Sequence, residues 1–101
     1  MTLEERLYNG DRAREVLENE QFILAFDLIE KDLIESWRNI PASKEHLEKR
    51  ERLHLSLTLL GKVKATIQST LETGKLAKLE LEHKRSLAER ARDAKSAFFN
   101  E

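Results

Sequence analysis

Apolar residues recur along this chain at helical spacing, most densely between Ser43 and Thr73. Leu53, Leu57, Leu60, Ile67 and Leu71 step by four, three, seven and four, and only Lys64 interrupts the 3-4 alternation of a helix packed on a helix. At a helical turn of 100° per residue these five fall within about 60° of one another. Leu55, Leu59 and Val63 form a second set, spaced four and four. The combined apolar arc spans roughly 200°, whereas a surface helix packed on one side needs little more than ~100°. One neighbouring helix cannot cover it.

The companion helix predicted for that stretch is Glu20 to Arg38. Phe22, Phe26, Ile29, Leu33 and Trp37 step by four, three, four and four, with Ile40 just beyond, while Asp27, Glu30, Lys31, Asp32 and Glu35 occupy the remainder. Aromatic residues at this spacing read as core. Pro41 cannot continue the helix and biases Ile40 away from helical geometry. Ser43 is a candidate N-cap for the next helix. A connection this short makes the two long helices antiparallel neighbours.

Upstream, Thr2 and Glu5 stand at capping-box spacing, and Leu3 and Leu7 form a small face. Asn9-Gly10-Asp11 reads as a turn, followed by a short helix presenting Ala13, Val16 and Leu17. Asn19 is either a further cap or a surface residue within a continuous helix. Downstream, Gly61 lies inside the third helix, where a close helix–helix approach would explain it. Past Thr73-Gly74 a thinner stripe runs through Leu76, Leu79, Leu87, Ala91, Ala94 and Phe98, with His83 filling one gap. Carried straight through Gly74, it would face about 150° away from the Leu53–Leu71 stripe. Either the chain bends there, or the C-terminal arm faces something different.

The expected architecture is therefore all-α: one helical domain with short N-terminal helices over 1–18, an antiparallel helical hairpin over 19–73, and an extended or bent C-terminal arm over 75–99. Composition agrees. Charged residues make up 37% of the 101 residues, with one Pro, three Gly and no Cys, which excludes disulfide scaffolds and thiolate sites. No apolar run reaches even ten residues, so no membrane span is expected, nor is a signal peptide, and a soluble cytoplasmic location is the default. Residues 1–40 hold five Lys/Arg against ten Asp/Glu, a net −5, and residues 41–101 hold thirteen against nine, a net +4. That asymmetry suits pairing of the two parts.

Chemistry is sparse. Glu51/His54 and Glu80/His83 have the Glu-x-x-His spacing of di-iron helical bundles, yet they flank the apolar stripes and lack the further inward carboxylates such a site needs. No phosphate loop, nucleophile motif or zinc spacing occurs, so neither catalysis nor a cofactor, metal or small-molecule substrate is expected. From Lys62 to Lys95 nine basic residues face five acidic ones, which raises nucleic-acid contact as a second possibility. Interleaved Glu72, Glu80, Glu82, Glu89 and Asp93 and the lack of stacking aromatics argue instead for a solvated helix surface. The surplus apolar residues, Leu55, Leu59, Val63, Leu76, Leu79 and Leu87, together with the terminal pair Phe98 and Phe99, are the candidate interaction residues, for a protein partner or a homo-oligomer.

The segments "ENEQFILAFDLIEKDLIESW" and "LHLSLTLLGKVKATIQSTLETGKLA", spanning about residues 18–77, resemble short, mostly helical proteins encoded among the head and tail genes of tailed bacteriophages. That resemblance implies a role in virion assembly or association with other phage proteins. It transfers no catalytic residue.

Overall fold

The computed structural model describes the backbone of residues 1–99 and the side chains of residues 1–96. Three α-helices, α1 (Leu3–Glu18), α2 (Glu20–Arg38) and α3 (Leu47–Phe99), are joined by a single-residue break at Asn19 and by a short loop ending in a 3₁₀ turn, Lys44–His46. Among the described residues there is no strand. The protein is all-α, and its helices form an antiparallel hairpin.

Local chemistry sets each boundary. Thr2 is extended, and its Oγ1 accepts from the Glu5 N–H at 3.1 Å, which starts α1. Asn19 is extended at ψ 122°; its backbone N–H donates to the Val16 carbonyl at 3.2 Å and its Oδ1 accepts from the Phe22 N–H at 3.0 Å. One residue thus closes α1 and caps α2. The expected stop before Pro41 also appears, with Ile40 buried in the loop. Ser43 caps nothing with its side chain: its carbonyl accepts from the His46 N–H in the 3₁₀ turn, and α3 begins only at Leu47.

Pairings across the hairpin fall in antiparallel order. Gly10 lies against Gly74, Phe26 against Lys64, and Trp37 against Arg50. Consequently α1 and α2 follow one another along a single side of α3, as one broken arm laid on a continuous one. The inner line of α3 runs through Leu53, Leu57, Leu60, Lys64, Ile67 and Leu71, all half-buried, to Gly74 and Ala77, which are buried, and half-buried Leu81. Lys64 belongs to this line because its ammonium sits 5.1 Å from the centre of the Phe26 ring, a cation–π contact that lets its stem pack inward.

Two expectations about the N-terminal region change. Asn9-Gly10-Asp11 is not a turn: α1 runs unbroken from Leu3 to Glu18, with Gly10 buried in its middle. Likewise, Gly74 neither breaks nor ends α3. The two glycines meet. A Cβ on Gly10 would stand 2.7 Å from the Gly74 Cα, and one on Gly74 would stand 2.6 Å from the Gly10 Cα and 3.1 Å from the Arg6 carbonyl oxygen. Neither backbone conformation needs glycine, since neither Gly10 nor Gly74 has a positive φ. The missing side chains are what allow the approach, and Ala13 and Ala77, small residues one turn along, continue it.

The α2 packing is looser and is rotated from the expected stripe. Phe26 is buried and Phe22, Leu33 and Ile34 are half-buried, but Ile29 and Trp37 are exposed. Gly61 has nothing within 4 Å of where its Cβ would be, so close approach does not explain it. Residues 82–96 of α3 extend past the start of α1 and are exposed apart from half-buried Ser86. The result is a rod with extents of 86 × 26 × 17 Å. Its radius of gyration, 23.6 Å, compares with about 13 Å for a globule of this length.

Candidate interaction surface

The buried apolar side chains among the described residues are Ala13, Phe26, Ile40 and Ala77. Two are alanines. Outside that core, fifteen large apolar side chains are exposed, five of them on α2 and seven on α3. The accessible surface is 8440 Å², whereas a compact monomer of this mass has roughly 5,900 Å². Elongation accounts for the excess, and it leaves apolar residues facing outward.

Leu55, Leu59 and Val63, with relative exposures of 58%, 53% and 53%, occupy successive turns of α3. Helical geometry places them on the side of the hairpin opposite the open groove lined by Phe26, Glu30, Leu57, Gly61, Lys64 and Gln68. Ile29 of α2, 50% exposed, turns to the same side as Leu59 and Val63. Leu76, Leu79 and Leu87 are exposed as well, but farther along α3 and rotated roughly a third of a turn from the first set. The structure therefore does not gather the six leucine and valine candidates into one patch. Phe98 and Phe99 lie outside the described side chains.

The hydroxyl residues beside Leu55–Val63 give this surface its character. Ser56 donates to the Arg52 carbonyl (2.9 Å), Thr66 to the Lys62 carbonyl (2.7 Å) and Thr70 to the Thr66 carbonyl (3.0 Å). These three hydroxyl protons are satisfied within their own helix, so covering them orphans no donor of theirs. Near the C-terminal end of this stretch, Thr66, Ser69, Thr70 and Thr73 join Met1 and Arg6 in a groove of about 270 Å³. Its polar rim is engaged internally, with Arg6 donating to the Met1 carbonyl (3.3 Å) and Asn9 to the Met1 sulfur (3.5 Å).

A signal for this region is present in the sequence and lies in what is missing. Between His54 and Gly74 only Lys62, Lys64 and Glu72 are charged, three residues of twenty-one, whereas eleven of the twenty-two from Lys75 to Ser96 are charged. A helix that is uncharged around most of its circumference is one that expects cover on more than one side.

Elsewhere the side chains form ordinary helix-surface chemistry. The ion pairs among the described residues, Arg12–Glu15, Arg14–Asp11, Arg52–Glu48, Lys75–Glu72 and Lys84–Glu80, all join residues three or four apart within one helix. The acidic α1–α2 arm does lie along basic α3, but no ion pair among the described residues bridges the two. Hydrogen bonding to Tyr8, and secondarily the charge of Glu15, raise the Arg12 pKa further above its already high value. Glu51, His54, Glu80 and His83 are all exposed, and among the described residues no three His, Asp or Glu side chains come together as a metal would require. A further open groove, about 350 Å³, is lined by Asp27, Glu30, Lys31, Ile34, Glu35 and Arg38. Among the described residues no helix is long and apolar enough to cross a membrane. No family model, curated protein or solved structure matches the chain.

Proposed function

We propose that this protein is a non-enzymatic assembly or interaction component that works with its outer apolar surface covered by protein. One observation carries the reading: the hairpin buries four apolar side chains, two of them alanine, while fifteen large ones remain exposed among the described residues. So thin a core gives a 101-residue chain little stability of its own, and association is the usual remedy. The rod shape suits such a part, because it offers a long side for lateral contact and an unpaired helical end. The resemblance to short helical products of phage head and tail genes supplies a setting, that of a virion or its assembly.

Cross-linking in the native source, followed by sizing of the recovered material, tests the proposal. A discrete complex heavier than the 11.8 kDa chain is expected. Recovery of the chain solely as a free monomer, with a cooperative unfolding transition unaffected by concentration, overturns it. Binding to duplex DNA that weakens steeply with salt would instead favour a nucleic-acid role for the basic second half.

A further inference from the structure

We infer that the side of α3 formed by Leu55, Leu59, Val63, Thr66 and Thr70 is a two-fold interface with a second copy of this chain. This rests on the assembly reading above and names the partner for one face.

The choice of a second copy comes from the order of side-chain sizes along the stripe. Its first half carries the large residues Leu55 and Leu59, and its second half carries Thr66 and Thr70. Those four positions are symmetric about a point between residues 62 and 63. A two-fold axis there, perpendicular to α3, sets Leu59 of one copy opposite Thr66 of the other, and Leu55 opposite Thr70. Each leucine then meets a threonine, twice over, and Val63 stands opposite Lys62 beside the axis; the leucine–threonine pairing is the self-complementarity that a closed dimer requires. Thr66 and Thr70, the positions set opposite the two leucines, both line the 270 Å³ groove that Met1, Arg6 and Asn9 complete.

Three further features agree. The hydroxyls of Ser56, Thr66 and Thr70 are bonded to their own helix, so burying them strands none of these three donors. Lys62 borders the stripe, where its aliphatic stem can line the joint while the ammonium stays in water. Leu55, Leu59 and Val63 are 58%, 53% and 53% exposed, so the face itself has apolar area to bury. Ile29, on the same side, would extend the contact from α3 onto α2, giving a four-helix cross-section. The exposed residues beyond Gly74 are outside this interface.

The chain has no cysteine, so engineered pairs report without background. The test uses the full chain. Sedimentation at 10–100 μM is expected to give a dimer, and L59K should raise its dissociation constant at least tenfold while leaving the helical circular-dichroism signal of the protomer in place. The double variant L59C/T66C should oxidise to a covalent dimer, whereas L59C alone, T66C alone and the remote E89C should cross-link far less. Residues 59 and 66 are two turns apart on one helix and cannot bridge within a chain. If L59K unfolds the protomer, the cross-linking comparison decides. A wild-type monomer at 100 μM overturns the inference, and so does a dimer in which L59C/T66C cross-links no better than E89C. In either case a larger complex recovered from the native source would leave the assembly reading standing, and loss of both would remove the two together.

Discussion

Two stretches of the same long helix meet the returning arm in opposite ways. Around Gly74, α3 and α1 touch backbone to backbone, and Ala77, at 1% exposure, is the most buried apolar side chain of the fold. Around Gly61, α3 and α2 are held apart by the Phe26 ring and the Lys64 stem, and the glycine lines an open groove. Both segments hold one glycine within an α-helix, but only the first uses the absence of its side chain. Small residues thus give this protein its closest packing, and the aromatic ones give it a spaced contact that leaves apolar neighbours in water. A helix pair of the first kind gains dispersion contacts and sheds little apolar area; one of the second kind buries more per residue but less completely.

Substitutions can separate the two. The largest effect is expected for Gly74→Val: no rearrangement of a β-branched side chain fits a space 2.6 Å from the Gly10 Cα, so α1 must move off α3. A loss of about 3 kcal/mol or more in chemical denaturation is expected, with early protection loss over α1 in hydrogen exchange. Gly61→Val should cost far less, and equal losses at the two sites would erase the distinction. Phe26→Ala comes next, at about 3 kcal/mol, since it removes the one large buried ring of the α2 contact. The resulting disorder should spread through α2 and spare the Gly10–Gly74 crossing. Asn19→Ala removes the side-chain cap of α2 and should cost about 1 kcal/mol. Last and smallest, Gly61→Ala should raise stability by about 0.8 kcal/mol, because an exposed helical glycine gains propensity and meets no neighbour. A loss there would mean that something unseen sits in that groove.

Much of the local structure could be read in advance. The end of α2 follows from Pro41, its start from one of the two readings of Asn19, and the inner line of α3 from the 3-4 spacing of Leu53 to Leu71. Gly10 misled: following Asn9 it has the chemistry of a turn, because glycine carries the same letter whether it frees the backbone or makes room for another one. Gly74 left two outcomes open, a bend or an arm with a different face, and α3 runs through it unbroken. Read as zero-volume members of an apolar stripe, the two glycines restore the pattern: Leu3, Leu7, Gly10, Ala13, Leu17 on α1, and Leu71, Gly74, Ala77, Leu81 on α3. For the candidate surface, the exposed positions 55, 59 and 63 were legible as surplus, whereas Ile29 was taken for core. The contact of α2 is turned toward Ile34, which leaves Ile29, on the opposite edge of the stripe, exposed; Trp37, 40% exposed, instead lies under the Arg50 guanidinium, 5.1 Å from its ring centre.

Residue order alone settles that the chain is helical, that α2 stops before Pro41, and that one helix carries more apolar surface than a single companion can cover. These are properties of neighbours three and four residues apart, set by backbone hydrogen bonding, capping and side-chain periodicity. Only the tertiary structure decided that α1, and not α2, makes the intimate contact, that α3 passes uninterrupted through Gly74, and that the threonines beside Leu59 and Val63 turn their hydroxyls inward. Each of those outcomes depends on how closely two backbones more than sixty residues apart in the chain can approach, or on rotamers chosen after packing, and neither is encoded in the spacing of apolar residues.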